Sequence, residues 1–275
     1  MKIKEQENDI ILENIECFNV ELSLFCGQAF RWMKNEDGSF TGTVKGRVLN
    51  ISQKENQIIL KNTTKDDFEN IWSDYFDLGR DYAGICRKFE NDKYLKNAKE
   101  EYYGIRVLNQ EPWEALCSFI ISQNNNIPRI SGIIKRLCEN FGDRIDDENY
   151  SFPSYEKLKD VTVDELGILR AGFRAKYIAD AVSKLNSEEI SLESIKKMPI
   201  EQARQELMKI KGVGAKVAEC TLLYGFGRKE AFPVDVWVKR IMSELYPDGL
   251  PECTKDVEGI AQQYLFHWRR NMKED

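Results

Sequence analysis

An α+β fold, an antiparallel sheet followed by helices, is predicted by three features of this 275-residue chain. Between Cys17 and Lys61, short apolar–polar alternations are separated by turn dipeptides. From Glu111 onward the apolar spacing is helical. The period changes near Gly104 with no low-complexity linker and no internal repeat. The length is generous for one core and comfortable for two. The expected division is a sheet domain with flanking helices over 1–104 and a helical region over 105–275, packed tightly on one another.

The strands are expected at Phe30–Trp32, Phe40–Val44, Arg47–Ile51 and Gln57–Leu60. Asp37-Gly38, Lys45-Gly46 and Glu55-Asn56 supply the turns of an antiparallel meander. A meander buries one face, so helices over 64–76 and 79–103 are expected to cover it. Pro112–Ile121 opens the helical region with a broad apolar face. Helices are then predicted at Ile130–Phe141, Ser154–Leu158, Val163–Leu169, Lys176–Leu185, Ser191–Lys197, Ile200–Met208, Ala215–Tyr224, Val236–Leu245 and Asp256–Trp268. Pro199, Pro233, Pro247 and Pro251 fall in the connections.

The net charge is −6, so any binding to nucleic acid must rest on local patches, backbone N–H groups and helix ends. No apolar run approaches a membrane span, and residues 1–9 lack the apolar core of a signal peptide. An intracellular protein without a membrane partner is expected, in the cytoplasm or nucleoid if the source is prokaryotic. The seven cysteines are scattered and never spaced C-x-x-C, which argues against a disulfide framework or a zinc site. The single histidine, His267, rules out a His-rich metal centre and is expected at the surface or partly buried.

The densest information lies in residues 208–220 and 232–235. They read as helix, Gly-rich hairpin, helix, then a Pro-Val-Asp corner. Gly212 and Gly214 permit a tight turn and leave nothing between its N–H groups and an approaching phosphate. Lys216 follows the hairpin in the first turn of a helix, where the dipole disfavours a cation. That field and partial burial both favour the free amine of a nucleophile, whereas a nearby carboxylate favours the ammonium. Asp235 stands where a helix N-cap stands. Taken alone, Lys216 is a solvated lysine and Asp235 a cap. Together they suggest amine chemistry beside a gripped phosphate backbone.

This arrangement resembles the helix-hairpin-helix, Gly/Pro-Asp superfamily of DNA base-excision glycosylases. Residues 27–32 (Gly-Gln-Ala-Phe-Arg-Trp), 122–129, 172–177 (Gly-Phe-Arg-Ala-Lys-Tyr) and 262–266 (Gln-Gln-Tyr-Leu-Phe) resemble its 8-oxoguanine glycosylase/lyase branch, in order along nearly the whole chain. The resemblance implies a TBP-like twisted sheet packed on an all-helical body. It also implies a bifunctional enzyme that extrudes and excises 8-oxoguanine from duplex DNA, then cuts the strand by β-elimination. Two rivals remain at this point: a non-catalytic DNA-binding module, and a glycosylase for another lesion such as an alkylated base.

By the same resemblance, Lys216 attacks C1′ and Asp235 steadies the cationic sugar. Gly27 presents a carbonyl to the N7–H of the lesion, Phe266 and Cys220 wall the base, and Gln262 reads its Watson–Crick edge. Asn124 fills the vacated space, Phe173 wedges beside the orphaned partner, and Arg129 and Arg174 donate to the estranged cytosine. Gly212 and Gly214 hold a phosphate, and the carbonyls of Ile210 and Val213 bind a monovalent cation such as potassium. No cofactor is required. Only Cys253 lies beyond the Pro-Asp corner, so the four-cysteine iron–sulfur loop of some relatives cannot form. A monomer acting on damaged duplex, with cytosine opposite the lesion, is expected. Trp237 and Arg269 depart from a His and an acid common in relatives. An aromatic–Arg pair replacing a His–acid contact to phosphate is the expectation drawn from them.

Overall fold

The structure, a computed structural model, describes residues 1–272. In chain order it runs β1 (Lys2–Gln6), β2 (Asp9–Glu13), α1 (Val20–Phe25), β3 (Trp32–Lys34), β4 (Phe40–Val44), β5 (Arg47–Lys54) and β6 (Gln57–Lys61). Next come α2 (Lys65–Asp67), a π-helical turn (Phe68–Trp72), α3 (Ser73–Tyr75), α4 (Tyr82–Lys88) and α5 (Lys93–Glu101). The helical stretch holds α6 (Pro112–Ser122), α7 (Ile127–Phe141), α8 (Arg174–Asn186), α9 (Leu192–Lys197), α10 (Ile200–Met208) and α11 (Ala215–Cys220). A second π-helical turn (Thr221–Gly225) continues α11, and α12 (Val236–Leu245) and α13 (Glu258–Asn271) close the chain.

The chain forms two compact units, and they are not consecutive halves as a boundary at residue 104 would make them. The first holds residues 1–42, 49–109 and 229–275; the second holds 43–48 and 110–228. The C-terminal helices join the first unit through specific bonds. Tyr246 donates to Asp92 at 2.6 Å, and the Gln263 carboxamide donates to the Cys26 carbonyl at 3.2 Å.

The sheet is antiparallel, ordered β1-β2-β6-β5-β4-β3. Alternation sets its faces: Ile10, Leu12, Leu49, Ile51, Ile58 and Leu60 are all buried. Ile10 pairs with Leu60 and Leu12 with Ile58, so the register keeps them on one face. Trp32, Trp72, Tyr75 and Phe76 form an aromatic cluster, and the Trp32 indole N–H donates to the Tyr75 hydroxyl at 2.7 Å.

The sequence reading did not anticipate β1, β2 or α1. β1 is exposed throughout, and its Lys-Ile-Lys-Glu-Gln sequence looks like a solvated tail until it pairs with β2. α1 is only six residues long; the Asn19 side chain caps it by accepting the Leu22 N–H at 2.9 Å. The helix expected at Ser154–Leu158 is a run of turns, too short to nucleate. Val163–Leu169 settles as a 3₁₀ turn over Glu165–Leu169.

In the second unit α6 is buried at Trp113 and at every residue from Ala115 to Ile121. It therefore serves as the hub against which α7, α8 and α11 lie. Phe119 of α6 stacks on Tyr224 with centroids 5.1 Å apart.

Candidate active site

The second unit presents Lys216 as the second residue of α11, behind a Gly214 cap that offers no side chain. Lys216 is half-buried. Its Nζ lies 3.4 Å from Ser122 Oγ and 5.3 Å from the centroid of the Phe119 ring. It makes no ion pair among the described residues, so its amine rests against a hydroxyl and a π face rather than a carboxylate. Cys220, one turn later, is buried at the end of the same helix.

The hairpin before Lys216 is rigidly backed. Gly212 has φ +79°, and a Cβ there would collide with the Tyr177 ring. Asp180 accepts the Lys211 N–H at 2.7 Å. Around Gly214 a Cβ would meet nothing within 4 Å, so its backbone faces open space. The Ile210 carbonyl accepts the Val213 N–H at 3.0 Å, which leaves it one lone pair for a further partner.

Asn124 sits at an exposed turn where α6 ends, with φ +47°. Asn125 donates to the Ile121 carbonyl at 3.0 Å, and Asn126 caps α7 by accepting the Arg129 N–H at 3.0 Å. Arg174 is buried and spends its guanidinium on backbone. Nε donates to Gln123 O at 2.9 Å, Nη2 donates to Gln123 O and to Asn124 O, and Nη1 donates to Ala171 O at 3.1 Å. Burial, then the charge of Arg129, holds Arg174 below its ordinary value. The arginine expected to face an estranged base thus holds the Asn124 turn in this structure. Arg129 is exposed, without an ion pair among the described residues. Phe173 is 49% exposed and meets Tyr177 edge-on at 5.6 Å, so it is not a core phenylalanine.

The first unit carries the remaining expected residues. Asp235 caps α12: Oδ1 accepts the Val238 N–H at 2.8 Å, which fixes the carboxylate at the helix end. Gly27 has φ +95° and follows α1. Gln28 beside it is buried, donating to Ser23 O and Arg106 O, each at 2.7 Å, and accepting from Leu108 N at 2.9 Å. α13 places Gln262 inward and Phe266 half-buried, and the Gln262 Oε1 has no hydrogen-bond donor among the described residues. Arg270, one turn past Phe266, lies 5.9 Å from that ring and 3.9 Å from where a Gly27 Cβ would stand. Gly27 and Phe266 therefore belong to one patch of this unit.

The expected Trp237–Arg269 pair is not formed. Arg240 lies over the Trp237 ring at 5.4 Å, one helical turn along, and Arg269 bonds Glu244 at 3.0 Å. Each arginine takes the partner within reach on α12 or across from it. His267 packs edge-on against Tyr102 at 4.5 Å, and burial foremost lowers its proton affinity. Sequence reasoning missed Phe119, Ser122 and Arg270. Arg270 was findable from its i, i+4 spacing to Phe266; the closeness of Phe119 and Ser122 to Lys216 has no local signal in the sequence.

A model of the 8-oxoguanine DNA glycosylase N-terminal domain matches residues 10–116, and one of the HhH-GPD superfamily of base excision DNA repair proteins matches residues 117–263. The chain belongs to the HhH-GPD superfamily. Within it, the N-glycosylase/DNA lyase of Saccharomyces cerevisiae is 35% identical over 89% of this chain and 70% of the relative. The solved structure of MBOgg1 with a low-affinity DNA ligand is 42% identical, covers 98% of each chain and superposes with a TM-score of 0.92. The Clostridium acetobutylicum 8-oxoguanine glycosylase/lyase, in complex with duplex DNA carrying cytosine opposite 8-oxoG, is 37% identical over 98% of each chain, with a TM-score of 0.92.

Proposed function

We propose that this HhH-GPD protein is a bifunctional DNA glycosylase that removes 8-oxoguanine opposite cytosine and cleaves the strand. The observation that carries the mechanism is the Lys216 amine, behind the Gly212–Gly214 hairpin and resting on Ser122 and a ring face with no carboxylate paired to it among the described residues. The neutral amine attacks C1′; the C1′–N bond forms as the glycosidic bond breaks, and its electron pair leaves with the base, which takes a proton. Opening of the sugar gives a Schiff base on Lys216. Loss of a C2′ proton then expels the 3′ phosphate, and water later frees the lysine.

Asp235, held by the Val238 N–H, stabilises the positive charge that develops on the sugar. Phe266 offers an aromatic face, Cys220 a sulfur, and Gln262 an acceptor and donor for the edge of the base. The Gly27 carbonyl accepts the N7–H that 8-oxoguanine has and guanine lacks. Exposed Phe173, Asn124 and Arg129 meet the gap and the orphaned base, and Arg174 supports them through the Asn124 turn. Neutral carbonyls suit a hard monovalent cation, and the spare lone pair of Ile210 supports such an ion at the hairpin with Val213. The protein would work on duplex DNA inside the cell, in the cytoplasm or nucleoid if the source is prokaryotic.

Borohydride reduction in the presence of 8-oxoguanine duplex tests the mechanism. A covalent adduct should form, map to Lys216 and vanish in Lys216→Gln. An adduct on another side chain overturns it. Running the assay with each of four opposing bases checks the cytosine preference.

A further inference from the structure

We propose that Cys17 and Cys86 form a reversible oxidation site, closing to a disulfide under hydrogen peroxide and changing how α13 is anchored. Their sulfurs lie 3.2 Å apart across 69 residues of sequence. A disulfide bond is about 2.05 Å long, so closure asks for about 1 Å of approach. Both sulfurs also meet the Tyr264 hydroxyl at 3.6 Å. Tyr264 is fully buried, packs edge-on against Phe89 at 6.0 Å, and lies on α13 two residues from both Gln262 and Phe266. The thiol pair therefore sits behind the helix that carries two proposed pocket residues.

The surroundings divide the labour between the two thiols. Cys17 has φ +51°, and its carbonyl accepts from Arg106 Nε at 3.0 Å. The hydrogen bond from Cys86 foremost, with help from Tyr264 and the Arg106 charge, outweighs burial and brings Cys17 down to about 7. The same contact and burial push Cys86 up. The Arg106 guanidinium bonded to the Cys17 carbonyl favours a thiolate on that side of the pair, which makes Cys17 the attacking sulfur and Cys86 the resolving one.

The chemistry balances with peroxide alone. The Cys17 thiolate attacks one peroxide oxygen; S–O forms, O–O breaks, and the departing hydroxide takes a proton, leaving a sulfenic acid and water. Cys86 sulfur then attacks Cys17 sulfur; S–S forms, S–O breaks, and the leaving hydroxide takes the Cys86 proton as a second water. Drawing the sulfurs together changes both contacts of the Tyr264 hydroxyl, and α13 must adjust.

The test treats the full-length protein with stoichiometric hydrogen peroxide, alkylates it in denaturant and maps it by mass spectrometry. A Cys17–Cys86 cross-linked peptide, two hydrogens lighter than the free pair and reversed by dithiothreitol, is expected. In Cys86→Ser, where the bond cannot close, dimedone should capture a sulfenic acid on Cys17; should that variant fold poorly, the wild-type cross-link map alone decides. Seven alkylated thiols after treatment, or a link through Cys253, overturns the site. The consequence for excision rests on the function proposed above; the cross-link does not. Oxidised protein should excise 8-oxoguanine about tenfold more slowly, the scale of a sub-ångström misplacement, with recovery under dithiothreitol. A confirmed cross-link with unchanged excision overturns the connection to α13 and leaves Lys216 untouched.

Discussion

Two turns in the helical unit, at Asn124 and at Gly212, both place a left-handed residue between helices, yet α8 holds them in opposite ways. Asn124 is held by charge-assisted hydrogen bonds from Arg174 to carbonyls of the turn. Gly212 is held by contact with the Tyr177 ring, with Asp180 fastening the preceding N–H. Arg174, Tyr177 and Asp180 recur every third residue, so a single face of α8 serves both turns. A guanidinium can exchange a backbone carbonyl for another acceptor with little change in shape. A ring packed against a glycine cannot yield without a clash. The hairpin is therefore held rigidly, whereas the Asn124 turn can rearrange without a clash.

The largest effect should come from Gly212→Ala. The left-handed backbone alone costs a side chain about 1–2 kcal/mol, before the collision with Tyr177. Single-turnover excision should fall close to background. The double variant with Tyr177→Ala should recover part of it in a double-mutant cycle. No recovery would mean the ring is not what fixes the hairpin.

Arg174→Ala should come next. It removes the donors to Gln123, Asn124 and Ala171, at a stability cost of about 1–3 kcal/mol by thermal unfolding. Excision should drop about ten- to a hundredfold while duplex affinity drops less, because the turn loses its position rather than a phosphate contact. Equal losses in both would show that Arg174 grips DNA directly.

Gly214→Ala should be the mildest. Its φ of −99° suits any residue and a Cβ meets no protein atom within 4 Å, so unfolding should shift by less than about 0.5 kcal/mol. Affinity for duplex at fixed salt should still weaken several-fold, since the methyl stands where backbone and phosphate would meet. Unchanged affinity would remove Gly214 from the phosphate contact.

The placement of Lys216 in a first helical turn, of Asp235 at a cap and of the two glycines in a hairpin was legible in the sequence because each is set by its own local backbone. The alternation of β4 to β6 was legible for the same reason, since a half-buried strand prints its period. β1 was not, because its exposed charged residues gain order only from β2 across the strand pair. Nor was the place of Arg174, whose acceptors at the Asn124 turn lie about fifty residues upstream and are main-chain atoms carrying no residue signature. The discontinuous first unit escaped for a related reason: Tyr246 and Gln263 reach Asp92 and Cys26 by contacts with no periodicity.

The lone carboxamide oxygen of Gln262 has a practical corollary for chemical probes. A buried acceptor that none of the described residues satisfies rewards any visitor bringing an N–H and penalises one bringing only lone pairs, by about 1–3 kcal/mol. Fragment libraries screened against this protein should accordingly enrich lactams and aminopyrimidines over their N-methylated counterparts.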